Sequence, residues 1–169
     1  MSLPSLRLKA NSDRRLKGGH LWVFSNEVDI AQTPLTDFVV GQEVQVETAT
    51  GKPLGLACMS PNNLICARLH NRDISHPLGK SLLVHRFKVA LALRERLFDK
   101  PFYRLVYGDA DLLPGLVVDR FGDYLVVQIA TPGMERVRSD IVDALVQVLK
   151  PNGILFKNDS GARVQEALP

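Results

Sequence analysis

Residues 103–128 read YRLVYGDADLLPGLVVDRFGDYLVVQ, and this stretch decides how the second half of the chain folds. Its first run, Tyr103 to Tyr107, is rich in aromatic and β-branched residues, which favour a half-buried sheet surface. Pro114-Gly115 suits a type II turn, because proline presets φ and glycine accepts a positive φ. Gly122-Asp123 separates two apolar runs and indicates a tight hairpin. The stretch therefore predicts an antiparallel sheet.

Apolar residues recur with a helical period on both sides of this sheet. The pattern predicts one helix over residues 81–100 and a second that begins near Pro132 and ends before Pro151. Six residues are expected to be buried on the inner faces of these helices: Leu83, Phe87, Leu91, Ile141, Leu145 and Val148. Arg94 shares the inner face of the first helix. We expect its aliphatic stem to pack and its charge to reach water, the alternative being a buried ion pair.

Short alternating segments fill the first 75 residues, and Glu43 to Glu47 is the clearest of them. Closely spaced strands of this kind predict a small closed barrel or sandwich. Residues 71–80 contain Pro77 and Gly79 and indicate a boundary. The fold class is thus α+β: a small β-barrel over residues 1–75, then a linking helix and an α+β domain over 76–169. The second domain is expected to have a mainly antiparallel sheet with one packed helix.

Composition narrows the class of protein. With 46% hydrophobic and 23% charged residues, the chain is typical of a soluble globular protein. No apolar run approaches the length of a membrane span. Cys58 and Cys66 are too few for a disulfide framework, so we interpret them as reduced core residues of a cytoplasmic protein.

The positive charge is concentrated near the start of the chain. Residues 1–20 hold five Lys or Arg side chains against one carboxylate, whereas carboxylates outnumber bases from Tyr103 onward. The segment 14–28 reads RRLKGGHLWVFSNEV and offers bases, glycines and aromatics that could meet RNA. The candidate RNA-binding residues are Arg14, Arg15, Lys17, Gly18, Gly19 and His20. Trp22 is interpreted as a wall of the barrel. On physical grounds alone, a solvated basic face is an equally good interpretation.

The search for catalytic chemistry is negative. The four histidines are scattered, so no zinc site is expected, and Asp109 and Asp111 are interpreted as turn formers. No glycine fingerprint of a nucleotide-binding loop is present. We therefore predict no catalytic residue, no metal site and no cofactor site in this chain.

Three stretches together carry a family resemblance. RRLKGGHLWVFSNEV resembles the start of the PUA domain in bacterial S-adenosylmethionine-dependent 23S ribosomal RNA cytosine-5 methyltransferases. YRLVYGDADLLPGLVVDRFGDYLVVQ resembles the central-domain motif of the same family, and ILFKNDSGARVQEAL resembles the strand and tail that follow it. In that family a PUA barrel and a central α+β domain precede a C-terminal catalytic domain, which holds the S-adenosylmethionine site and the catalytic cysteine.

The resemblance implies that these 169 residues are the N-terminal, RNA-binding and substrate-positioning portion of such an enzyme, with ribosomal RNA as partner. The chain ends before any catalytic domain, and we interpret it as a truncation rather than a naturally short relative. It is accordingly expected to be inactive alone. Neither Cys58 nor Cys66 lies in a motif matching the family's nucleophile. The alternative is a stand-alone adaptor that binds RNA or protein without enzymatic activity.

Overall fold

The computed structural model describes residues 2–169, which divide into two compact units. The first unit extends to Pro77 and the second runs from Leu78 to Pro169. Each unit has its own β-sheet and its own hydrophobic core. No strand joins the two sheets among the described residues, and the predicted α+β class is confirmed.

The first unit is built mainly from short strands. Its elements are β1 (Ser5–Arg7), α1 (Arg14–Lys17), β2 (Trp22–Phe24), β3 (Glu43–Glu47), β4 (Pro53–Met59) and β5 (Ile65–Asn71), with 3₁₀ turns at Ser25–Glu27 and Leu35–Asp37. The sheet order is β1-β3-β4-β5-β2, in which β1 runs parallel to β3 and the other pairs are antiparallel. This order places β1 and β2 at the two edges of the sheet.

The chain just beyond these two edge strands brings them together. The Lys9 amide donates to the Glu27 carbonyl at 2.8 Å, and the Asp29 amide donates to the Arg7 carbonyl at 2.9 Å. Leu8 and Val28 form an antiparallel bridge between these bonds, and both side chains are fully buried. The sheet is therefore curled on itself around a core that includes Leu16 of α1.

The second unit combines a four-stranded sheet with helices. Its elements are α2 (Lys80–Leu97), β6 (Phe102–Tyr107), β7 (Leu116–Phe121), β8 (Tyr124–Ile129), α3 (Pro132–Arg136), α4 (Arg138–Leu149), β9 (Gly153–Phe156) and α5 (Gly161–Gln165), with a 3₁₀ turn at Gly108–Asp111. The strand order is β6-β7-β8-β9. The first three strands are antiparallel, as the sequence predicted, and β9 adds in parallel to β8.

Glycine turns hold this sheet in register. Phe121 pairs with Tyr124, so Gly122 and Asp123 form a two-residue hairpin turn in which Gly122 has a φ of +63°. Gly115 has a φ of +82°, as expected for the glycine of a type II turn. Both predicted turns are confirmed.

Two helices supply the core on one face of the sheet. Four of the six residues expected to be buried are fully buried: Leu83, Phe87, Ile141 and Leu145. Leu91 and Val148 are only partly buried at the edge of this cluster. The helix α2, expected to link two domains, contributes three of the core side chains and packs beside α4, so it is an integral part of the second unit.

The expectation for Arg94 is wrong. Its guanidinium donates to both carboxylate oxygens of Asp111 at 2.7 Å, and the two side chains are 11% and 9% exposed. The same guanidinium donates to the Arg104 carbonyl at 3.2 Å. Because a desolvated guanidinium needs a matched acceptor, Arg94 forms the buried ion pair and does not extend to water.

Candidate nucleic-acid interface

The basic segment, defined here as residues 14–20, begins with the short helix α1. Leu16 is fully buried in the core and anchors this helix, while Arg14, Arg15 and Lys17 on either side of it are exposed. Asp13 precedes the helix, and its carbonyl accepts the Lys17 amide at 3.0 Å. One apolar anchor thus fixes a turn whose other side chains all face solvent.

The three cations of this turn differ in how their charge is compensated. Arg15 forms an ion pair with Glu27, and its guanidinium lies 4.7 Å from the centroid of the Phe24 ring. Lys17 forms an ion pair with Asp13, and its hydrogen bond is the main cause that lowers the pKa of the Asp13 carboxyl. Arg14 makes no ion pair with any residue in the range 2–169. Of the three, Arg14 therefore presents the least compensated charge.

Gly18 and Gly19 turn the chain from α1 towards β2. Their amides donate to the carbonyls of Arg14 and Leu16, at 3.0 and 3.1 Å. Gly19 has a φ of +109°, and no atom lies within 4 Å of the position that a Cβ would occupy. The turn is accordingly open to a ligand, but these two amides are already used to end the helix.

The next residue, His20, is hydrogen-bonded to Arg72, which directly follows strand β5. Its side chain is exposed, its amide donates to the Arg15 carbonyl at 3.0 Å, and its carbonyl accepts from the Arg72 guanidinium at 3.3 Å. Arg72 is exposed and extends the basic surface. Sequence inspection missed Arg72 because it lies more than 50 residues away along the chain, and only the pairing of β2 with β5 brings it here.

The interpretation of Trp22 as a barrel wall is wrong. Val23 is fully buried in the core, so its neighbour Trp22 points to the opposite face of β2, where the side chain is 41% exposed. Its register partner on β5 is Arg68, which was also missed. The alternation of Leu21 and Val23 with Trp22 could have revealed this orientation, because only one set of alternating residues can face the core.

Other candidate chemistry is limited. Cys58 and Cys66 are not joined in a disulfide. Burial raises the pKa of the Cys66 thiol to about 12, so that thiol stays protonated and unreactive. Within residues 2–169 no group of His, Cys, Asp or Glu is arranged to hold a metal ion. No helix in the same range is long and apolar enough to cross a membrane.

Comparison with known proteins gives a family for the first unit. Residues 6–72 match the family described as a PUA-like domain, and the match runs from within β1 to just past β5. A solved structure described as a SAM-dependent methyltransferase from Streptococcus mutans matches 92% of this chain and 41% of its own, with a TM-score of 0.77 and 22% identity. A second, described as a methyltransferase complexed with SAH, gives a TM-score of 0.75 and 20% identity over 92% of this chain and 40% of its own. These two structures share the fold.

Curated relatives extend the likeness over nearly all of the chain. A ribosomal RNA large subunit methyltransferase I from Aliivibrio fischeri is 30% identical over 167 residues, which are 97% of this chain and 41% of the relative. The protein of the same name from Vibrio cholerae is 30% identical over 169 residues, again 41% of its length. This chain therefore contains a PUA-like domain at residues 6–72 and is homologous, over almost its entire length, to about two fifths of the ribosomal RNA large subunit methyltransferases I.

Proposed function

We propose that this chain is the N-terminal, RNA-binding and substrate-positioning portion of a cytoplasmic 23S ribosomal RNA cytosine-5 methyltransferase. The observation that carries the proposal is the exposed basic segment on a PUA-like domain, in a chain whose relatives are ribosomal RNA methyltransferases. The partner is ribosomal RNA. Its phosphates would be met by Arg14, Arg15, Lys17 and His20, with Gly18 and Gly19 leaving room for the backbone to approach.

S-adenosylmethionine would supply the methyl group in such an enzyme, and the described residues do not fit it. Nucleotide-type cofactors sit on a glycine-rich turn between a parallel strand and a long helix. Here β8 and β9 form the one parallel pair in the second unit. Residues 130–131 lead from β8 into the five-residue helix α3, residues 157–160 lead from β9 into the five-residue helix α5, and neither connection contains a glycine. We place the cofactor and the nucleophile outside these 169 residues, and derive no step through them.

The proposal predicts a salt-sensitive RNA affinity that depends on the basic segment. We expect Arg14→Gln/Lys17→Gln to weaken binding of a labelled ribosomal RNA hairpin in fluorescence anisotropy titrations across a salt series. Each phosphate neutralised on a single strand adds roughly 0.7 to the log–log salt slope, so the double variant should flatten the slope by roughly 0.7 for each phosphate that it no longer neutralises. Arg15 is left in place because its ion pair with Glu27 also supports the fold.

A matched control removes two charges elsewhere. Lys88→Gln/Arg96→Gln lies on exposed positions of α2 in the second unit and changes the net charge equally. We expect this control to retain the parent slope. If both double variants lose affinity alike, the interaction is a general charge effect. If neither binds differently from the parent, the basic segment is a solvated face and the RNA-binding role is wrong.

A further inference from the structure

The exposed tryptophan lies among cations. Trp22 is the only tryptophan in the chain, and its indole is 41% exposed on the outer face of β2. Tryptophan is enriched at binding interfaces because its ring offers a large flat apolar face together with one N–H donor. Its place in the strand is fixed, because Val23 next to it is fully buried and β2 pairs with β5.

The charges around this ring have one predominant sign. Arg68 is the cross-strand partner of Trp22, at a pair position where Cβ atoms lie about 5 Å apart. Arg15 reaches the Trp22 carbonyl at 3.5 Å, and Arg72 reaches the carbonyl of His20. The basic segment, its contacts and the cross-strand row of Trp22 include five cations against three carboxylates: Arg14, Arg15, Lys17, Arg68 and Arg72 against Asp13, Glu27 and Glu43.

An aromatic ring within a positive surface is suited to a particular ligand. Phosphates bind the cations, and a nucleobase freed from pairing stacks on the ring. A paired helix of RNA cannot supply that base, since its bases are stacked on one another and its major groove is too narrow for side chains. An acidic protein would satisfy the cations but would leave the indole without a flat partner.

We propose that an unpaired nucleobase of the bound RNA stacks on the indole of Trp22 while the basic segment holds the adjoining phosphates. This inference rests on the proposed function and adds to it, because it assigns the chain a preference for loops and bulges over continuous duplex. Trp22 supplies stacking affinity for any base, whereas Arg14 and Lys17 supply the salt-dependent part of the affinity.

The single tryptophan makes the interaction directly observable. We expect a ribosomal RNA hairpin with an unpaired loop to quench the intrinsic tryptophan fluorescence, and a blunt duplex of equal phosphate number to quench it far less. Trp22→Leu should weaken hairpin binding roughly 5- to 150-fold, as expected when one base stack is removed. Trp22→Phe keeps a flat ring and should retain most of the affinity. Neither change should alter the salt slope.

Two controls separate the outcomes. Phe121→Leu removes an exposed aromatic ring, 53% exposed, from the second unit and should bind RNA as the parent does. Thermal unfolding of each variant checks that the fold is intact. If the hairpin binds with a salt slope but neither quenches Trp22 nor responds to Trp22→Leu, the stacking inference is wrong while the proposed function stands. If neither RNA binds at all, the proposed function fails as well.

Discussion

Glu47 is a buried carboxylate that ties β1 to β3. Ser5 donates to its Oε1 at 2.8 Å, Gln45 to the same oxygen at 3.0 Å, and Arg7 to Oε2 at 3.0 Å. Burial acts to raise the pKa of the Glu47 carboxyl, but these hydrogen bonds outweigh it and the pKa is lowered below its usual 4.5. At the scale of single residues, donors of this kind decide which buried charges stabilise the fold.

Glu47→Gln should make the stability of the protein less sensitive to acid. Because the carboxyl pKa is lower in the folded state, its contribution is complete above the unfolded value and is lost as pH falls through the folded value. We expect the substitution to cost about 1–3 kcal/mol near neutral pH, as hydrogen bonds to a charged group are removed. Urea denaturation at about pH 7 and about pH 3 measures the free energy of unfolding of both proteins. The gap in this free energy between parent and variant should narrow on acidification. A gap of the same size at both pH values would contradict the assignment.

At the scale of elements, the turn between the 3₁₀ helix Gly108–Asp111 and β7 is locked against the end of β8. The Ala130 amide donates to the Gly115 carbonyl at 2.8 Å, and the Thr131 hydroxyl donates to the Pro114 carbonyl at 3.0 Å. A Cβ on Gly115 would lie 2.3 Å from the Thr131 methyl. The glycine is therefore required both by its φ and by the space available.

Gly115→Ala should destabilise the second unit by more than the cost of holding an alanine at a positive φ. Gly108→Ala is the matched control, because Gly108 also has a positive φ of +52° but has no atom within 4 Å of a new Cβ. We expect Gly108→Ala to cost about 1–2 kcal/mol, the penalty of the left-handed region for an L-residue. Gly115→Ala should cost about 1–3 kcal/mol more, since Thr131 must move. Chemical denaturation compares the two variants. Equal losses in the free energy of unfolding would show that the contact with Thr131 relaxes at no cost.

At the scale of the whole molecule, the two cores share no residue. Leu16, Val23 and Val46 belong to the first cluster, and Phe87 and Leu145 to the second. Two separate cores in one chain are typical of two cooperative folding units.

Phe87→Ala should therefore weaken the second unit selectively. Removing this fully buried ring is expected to cost about 3–5 kcal/mol of the free energy of unfolding of the second unit. Hydrogen exchange resolved by residue should show reduced protection in α2 and β6–β8 while the amides of β3–β5 keep theirs. Leu69→Ala, in the first core, should do the reverse: it should reduce protection in β3–β5 and leave that of the second unit unchanged. Equal loss of protection in both units after either substitution would mean that the chain unfolds as one unit.

The sequence alone determined the features that depend on neighbouring residues. The hairpin at Gly122, the turn at Gly115 and the helix around Phe87 were predictable, because turn chemistry and periodicity act over a few residues. The helix around Leu145 was predicted as one element from Pro132, but the structure divides it at Val137 into α3 and α4. The exposed side chains of the basic segment were predictable for the same reason, since charged residues around one apolar anchor face water.

Only the tertiary structure decided which distant groups meet. Arg94 meets Asp111 across a turn and a strand, Arg72 reaches the His20 carbonyl from the position directly after β5, and the pairing of β2 with β5 sets Trp22 beside Arg68. Periodicity places a side chain on a face of its own element but carries no information on what another element brings opposite it. The free energy of a desolvated charge or an exposed ring depends on that partner, and the partner is fixed only when the elements pack together.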